Sequence, residues 1–309
     1  MIDLLCLGEP LVEFNQQQDG RFLFGYGGDV SNVAIAAARQ GTKSAIICRI
    51  GSDKFGDDLR NLWQREGVAD EFVLTSITGE TGIYFITYTE LGHKFSYRRK
   101  SSAASEFTPD DLPRKVITNG KVFYASGISL AISDSMCSAV KVAVDIARDA
   151  GRIVAFDPNL RLKLWSLEQA RQTIHNIMTN CDIALPSIDD AKHLTGFDQP
   201  DQIVAFYHDL GASEVVLTLG SDGVYASDGA VQKYIDPVRL AAIDATGAGD
   251  CFNGTYIAAR LRNLSTFQAA KWANVSAALS TLGAGAVARI PTLAETHEHL
   301  KQMEEHNVN

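Results

Sequence analysis

The sequence predicts an α/β fold, a mostly parallel sheet flanked by helices, with a small β-sheet set apart from it. Three observations predict it. Short apolar runs alternate with alanine-rich or amphipathic stretches along most of the chain, the rhythm of units that pair strands in parallel and cover them with helices. That rhythm breaks once, between about residues 73 and 105, where two β-prone runs face each other across a glycine-containing turn. The residues with unusual turn chemistry fall just after the apolar runs, where an open parallel sheet places its ligands.

Residues 4–8 form an apolar run ending in Gly8, the pattern of a buried first strand. Residues 9–26 are polar and irregular, with aromatics at Phe14, Phe22, Phe24 and Tyr26. Gly27-Gly28-Asp29-Val30-Ser31-Asn32 leads into an alanine-rich helix over 33–39 that stops at Gly41. A buried strand at 45–50 follows, then an amphipathic helix over 54–67 with Phe55, Leu59 and Leu62-Trp63 on one face. The runs 82–88 and 94–99 read as a hairpin turning near Leu91-Gly92. Strands are expected at 122–125, 153–156, 183–185 and 215–219, and helices at 135–149, 167–178, 188–195 and 201–210. A second hairpin spans 224–226 and 231–235 around Asp228-Gly229. Helices over 252–261 and 267–282 and a polar helical tail complete the chain. The body is assigned residues 1–10, 28–72 and 106–309, and the small sheet residues 11–27 and 73–105.

The composition, 46% hydrophobic and 21% charged over 309 residues, is that of a globular protein with ample core. A net charge of −9 argues against bulk binding of nucleic acid or anionic membrane. Five cysteines without a CxxC pair indicate neither a disulfide framework nor a zinc site. No segment has the length of a membrane span or the form of a signal peptide, so a cytoplasmic enzyme is expected.

The stretch Asp244-Ala245-Thr246-Gly247-Ala248-Gly249-Asp250 carries the strongest chemical signal. Two glycines just before a helix leave backbone N–H groups bare, and a helix N-terminus favours an anion. Asp250 beside it can cap the helix or take a proton from an attacking hydroxyl. Gly27-Gly28 is a turn or a close approach to a ligand. Asn32 is a polar group on a helix end or a donor to that ligand. Asp157 before Pro158 is a turn-former. Arg161 shares its loop with Asn159 and is either solvated or a ligand group. Gly220-Ser221-Asp222-Gly223 is a βα or hairpin turn, or a ligand loop at a strand end. Tyr97 and Arg99 point to one side of their strand, as a grip on a sugar acid or as charge protecting an edge. The histidines and Cys251 read as structural, and no GxxxxGK[ST] loop is present.

Gly27-Gly28-Asp29-Val30-Ser31-Asn32-Val33-Ala34 with Ala38-Arg39-Gln40-Gly41, and Asp244 to Asp250, resemble the paired signatures of the PfkB (ribokinase-like) carbohydrate kinases. The resemblance covers essentially the whole chain. It implies a Rossmann-like domain with a β lid and ATP-dependent phosphorylation of a sugar hydroxyl. It makes Asp250 the general base and gives the N–H groups of Gly247, Ala248 and Gly249 the transferring phosphoryl group, with Mg²⁺ accompanying ATP. Within the family, Gly8-Glu9-Pro10-Leu11-Val12-Glu13-Phe14, Tyr84, Tyr97 to Ser105, Ser126-Gly127-Ile128 and Asp157 to Arg161 are similar to 2-keto-3-deoxygluconate kinases. That likeness implies that Gly28, Asn32, Tyr84, Tyr97, Arg99, Ile128, Arg161 and Asp250 contact the sugar acid, the arginines serving its carboxylate. It implies that Ser187, Thr218, Gly220, Ser221, Gly223, Gly247, Gly249 and Asn274 contact the nucleotide. The family's Asn-x-x-Glu motif aligns with Ser187 and Asp190, leaving Asp190 as the expected metal carboxylate. A homo-oligomer through the lid is expected. The competing readings are a kinase of a neutral sugar such as fructose or ribose, and a catalytically silent sugar-binding homologue. A Rossmann dehydrogenase is disfavoured because no GxGxxG follows the first strand.

Overall fold

The computed structural model describes all residues except 18, 90, 91 and 307–309. Leu91 of the expected hairpin turn therefore lies outside the described residues. The strands, in chain order, are β1 (Leu4–Leu7), β2 (Leu11–Gln16), β3 (Phe22–Gly27), β4 (Ser44–Gly51), β5 (Val73–Ser76), β6 (Ile83–Thr89) and β7 (Gly92–Arg98). They continue with β8 (Val122–Ser126), β9 (Ile153–Asp157), β10 (Ile183–Ala184), β11 (Glu214–Thr218), β12 (Val224–Ser227) and β13 (Gln232–Ile235). Among the described residues they form a nine-stranded sheet, β13-β12-β11-β10-β9-β8-β1-β4-β5, and a four-stranded one, β3-β2-β6-β7. The large sheet is parallel from β5 to β11 and antiparallel at β12 and β13.

The central strands are near-continuous apolar runs because both faces are covered. In β1, Leu4 and Cys6 enter one core layer while Leu5 and Leu7 enter the other, all with no exposed surface. The period of two thus fills both layers from one short run. No helix of the described residues is long and apolar enough to cross a membrane.

Two helices matter most for the site, Asp29–Arg39 and Ala248–Leu261. They lie side by side because their facing residues are small. A Cβ on Gly254 would come within 2.4 Å of the Val33 carbonyl oxygen and 2.7 Å of Ala36 Cβ. Both start earlier than the apolar pattern suggests. Gly28, at φ 90°, turns the chain directly into the first, and Gly247, at φ 76°, into the second. Both N-termini face the same cavity.

The stretch 11–27 supplies β2 and β3 of the small sheet, paired through Phe14–Phe24 and its neighbours. Segment 73–76, assigned to the small sheet from sequence, instead forms β5 at the edge of the large one, against Cys48–Gly51 of β4. Its pattern misleads because only Val73 and Ser76 turn inward while Leu74 and Thr75 are exposed. The small sheet hangs over the carboxyl ends of the large sheet's strands. The chain enters it after β1, returns to the body after β3, enters it again after β5 and leaves it after β7.

Candidate active site

The carboxyl ends of the central strands and the inner face of the small sheet enclose a cavity of about 950 Å³. Gly28, Asn32, Tyr84, Tyr97, Arg99, Ile128, Arg161, Ser187, Thr218, Gly247, Gly249, Asp250 and Asp190 all line it. A sequence span of more than two hundred residues converges there, as expected at the strand ends of an open parallel sheet. Gly220, Ser221, Gly223, Asn274 and Ala248 do not line it. The first three follow β11 in a tight turn, where Gly223 has φ 97° and a Cβ would meet the Ile235 carbonyl oxygen at 2.3 Å. Asn274 donates instead to the Asp236 carbonyl at 2.9 Å.

Asp250 stands in the first turn of the helix Ala248–Leu261. No side chain caps that helix among the described residues, and the Cβ direction of Gly249 is open for 4 Å. The Ala248 N–H is taken by the Ala245 carbonyl at 3.1 Å, which leaves the N–H groups of Gly249 and Asp250 in the first turn for an anion in the cavity. The loop before it is fixed by Asp244, whose carboxylate accepts from Thr246 N and Oγ1 at 2.9 and 2.6 Å and from Gly285 N at 2.9 Å. Asp250 is not the cap. Its Oδ2 accepts from Asn32 Nδ2 at 2.8 Å across a separation of 218 residues. Burial pushes Asp250 upward, the nearby Asp29 carboxylate adds to this, and Asn32 and Arg161 pull back, leaving it at about 7. A half-ionised carboxylate at neutral pH can accept a proton.

Sequence reasoning missed the buried carboxylates around it. Asp29 accepts hydrogen bonds from Ser126 Oγ and from Asn159 Nδ2, the latter at 3.5 Å. Asp157, read as a turn-former, does accept from Asn159 N at 2.9 Å, and its second oxygen accepts from Asn253 Nδ2 at 2.8 Å. Burial pushes Asp157 well above the usual carboxylate range, helped by Asp190 and Asp250. The signal for Asp29 was its place directly after Gly27-Gly28. Nothing local marks Asn253.

On the small sheet, Tyr84 and Tyr97 stack with ring centroids 5.9 Å apart, and the Arg99 guanidinium lies 5.7 Å from the Tyr97 ring. Tyr84 donates to Glu13, which burial pushes above its ordinary range. A Cβ on Gly27 would strike the Tyr84 hydroxyl at 2.4 Å, so the first glycine of the pair makes room for this tyrosine. Arg99 is ion-paired with the buried Glu9. Across the cavity the exposed Arg161 donates to its neighbour's carbonyl at 2.9 Å and forms no ion pair among the described residues. Lys163 of the same loop donates to the Phe95 carbonyl of β7 at 3.2 Å.

Ser187 caps the helix Ile188–Thr195 by accepting from Asp190 N at 3.3 Å. One oxygen of Asp190 accepts from Leu160 N at 3.1 Å. Among the described residues no group of three or more metal-ligating side chains is assembled. A single carboxylate such as Asp190, one of several that line the cavity, fits a divalent ion that is held mainly by phosphates and water, the usual habit of Mg²⁺.

The model of the pfkB family carbohydrate kinases matches residues 1–293. The chain belongs to that family. This PfkB kinase is 31% identical to the 2-dehydro-3-deoxygluconokinase of Thermoproteus tenax, over 98% of this chain and 95% of that one. It is 33% identical to fructokinase-1 of Zea mays, over 94% and 95%. A candidate ribokinase II of E. coli, crystallised with ATP and Mg²⁺, superposes with a TM-score of 0.90 at 26% identity, over 98% of this chain and 100% of that one. The fold is ribokinase-like and the protein is a sugar kinase of the PfkB family. Two relatives named for different sugars match almost equally, so the choice of sugar rests on the cavity.

Proposed function

We propose that this kinase transfers the γ-phosphoryl group of ATP to a hydroxyl of a sugar acid, 2-keto-3-deoxygluconate being the best fit, to give its 6-phosphate. The observation that carries this reading is the shared cavity: Asp250 at a bare helix N-terminus on one wall, Tyr84, Tyr97, Arg99 and Arg161 on the others. Asp250 takes the proton of the attacking hydroxyl. That oxygen bonds to the γ-phosphorus as the bond to the β–γ bridging oxygen breaks, and ADP leaves. The N–H groups of Gly247 and Gly249 hold the charge on the transferring group, the dominant need of phosphoryl transfer, whereas that of Ala248, expected to join them, is taken by the Ala245 carbonyl. ATP bound with Mg²⁺ supplies the phosphoryl group and neutralises its charge. Ser187, Thr218, Gly247 and Gly249 are assigned to the nucleotide side and Asp190 to the metal. Gly28, Asn32 and Ile128 complete the sugar side.

The small sheet serves as the lid. Its outer face carries the aromatic cluster Phe14, Phe22, Phe24 and Phe85, with Phe22 and Phe24 exposed by 43% and 38%, which supports a homo-oligomer through this face. The likeness to fructokinases favours a neutral sugar as the second reading. A substrate panel with ATP and Mg²⁺ decides between them. The expected result is a kcat/KM for 2-keto-3-deoxygluconate well above those for fructose and ribose. A preference for fructose would replace the sugar acid, and no turnover of any sugar would leave a silent binding homologue.

A further inference from the structure

Of the four crossings between body and lid, the chain makes the first near Glu9 and the last between Arg99 and Ser102. Those two crossings are stapled to each other. Glu9 is 1% exposed, its Oε2 is ion-paired with Arg99 Nη2, and its Oε1 accepts from Ser102 Oγ. Ser102 N in turn donates to the Arg99 carbonyl at 3.1 Å, closing a loop around the carboxylate. The neighbouring chain leaves it room. A Cβ on Gly82 would lie 2.9 Å from Glu9 Oε1, and one on Gly28 2.5 Å from the Glu9 carbonyl oxygen. Glu9 and Arg99 both line the cavity.

A guanidinium held by a buried carboxylate keeps N–H donors for a ligand but offers it little net charge. Arg161 forms no ion pair among the described residues and is exposed; Asp190, Asp250 and Asp29 feel its charge only through space, so it offers both. We propose that Glu9 is a positioning residue that sets substrate specificity: it holds Arg99 against the cavity wall and cancels its charge. Arg99 then binds sugar oxygens by hydrogen bonding alone, and the distinction between an anionic and a neutral sugar falls to Arg161. The proposal rests on the cavity being the sugar site of a kinase. It departs from the expectation that both arginines serve the carboxylate.

The test is the ratio of kcat/KM for 2-keto-3-deoxygluconate to that for fructose, measured in the wild type, Glu9→Gln, Arg99→Gln and the double variant. Glu9→Gln leaves the guanidinium uncompensated, so the ratio rises about five- to tenfold, even if both values fall. Arg99→Gln leaves a buried carboxylate facing the acid, so the ratio falls by a similar factor. The double variant carries neither charge and returns to within about twofold of the wild-type ratio. A strut with no electrostatic role would lower both activities in Glu9→Gln at an unchanged ratio, which overturns the proposal. A double variant as poor toward the acid as Arg99→Gln overturns it as well, since Arg99 would then bind the carboxylate directly. Should Glu9→Gln fail to fold, the double variant still decides, because it buries no unpaired charge. Glu13→Gln removes an equally buried carboxylate that bonds a tyrosine instead, and its ratio stays at the wild-type value. A rise there as large as in Glu9→Gln counts against the proposal. If the wild type does not phosphorylate the acid, the sugar-acid reading fails separately. The same ratios are then taken from calorimetric dissociation constants for gluconate and fructose in the same proteins.

Discussion

The two walls of the cavity are built by different means. On the body side, Asp29, Asn32 and Asp250 stand at the starts of two helices packed against a sheet whose central strand β1 has no exposed surface. On the lid side, Tyr84, Tyr97 and Arg99 stand on a four-stranded sheet that packs on one face and exposes aromatics on the other. The body fixes its polar groups through the fold as a whole. The lid fixes two of its three groups through a dedicated buried glutamate, Glu9 for Arg99 and Glu13 for Tyr84, and Tyr97 by stacking on Tyr84. A reacting geometry tolerates little displacement, so it belongs on the rigid wall. Selectivity among sugars can be carried by the smaller element and retuned there. The comparison makes a division of effects: body substitutions should strike kcat, and lid or loop substitutions should strike KM and substrate preference.

The largest expected effect breaks the body wall. Asp250→Asn should lower kcat by about 10²- to 10⁴-fold with KM for the sugar little changed, measured by coupled ADP release. Retention of activity would remove the general base and with it the division. The same variant has a stability signature of opposite sign. A carboxylate whose folded pKa is raised to about 7 holds stability at low pH that is lost as pH rises through that value. Asp250→Asn does not titrate, so its Tm should exceed that of the wild type at pH 8, with the gap closing toward pH 4. Thermal melts across that range check it, and a gap that widens on acidification would contradict the raised value.

The next effect belongs to the loop facing the lid. Arg161→Gln should raise KM for 2-keto-3-deoxygluconate about 10- to 100-fold, the worth of a charged hydrogen bond, and leave KM for a neutral sugar nearly unchanged. Equal losses for both sugars would mean that Arg161 supports the loop rather than the carboxylate.

Much of the body was legible because local and global signals agree there. Apolar runs mark strands buried on both faces, and Gly28 and Gly247 mark turns with positive φ. Convergence of most strand-end motifs on one cavity was legible too, since a parallel sheet gathers them by topology, although Gly220 and Ser221 stand outside its lining. The electrostatic pairing was not. Glu9 meets Ser102 across 93 residues, Asp29 meets Ser126 across 97, and Asn253 meets Asp157 across 96. No spacing rule links such positions, so the sequence showed Arg99 as a free cation when the fold neutralises it. Segment 73–76 was misplaced for a related reason: an edge strand exposing half its residues carries a weak pattern, and its partner β4 lies elsewhere in the chain.

The smallest effects sharpen the body wall from within. Asn32 donates to Asp250 and so favours its ionised form, whereas Asp29 opposes it as a like charge. Removing the donor with Asn32→Ala should therefore move the acidic limb of the kcat profile upward by about one pH unit, and Asp29→Asn should move it downward by a comparable amount. Near pH 7 each change alters the rate by less than about tenfold, well below the loss in Asp250→Asn. The opposite signs are the useful part. Damage to the helix N-termini would depress both profiles at every pH without displacing them. Two limbs that part in opposite directions require that the titrating group lie between Asn32 and Asp29, which is where the fold puts Asp250. Limbs that both move upward would assign the titration to another carboxylate of the cavity, Asp157 being the first to test because burial raises it as well.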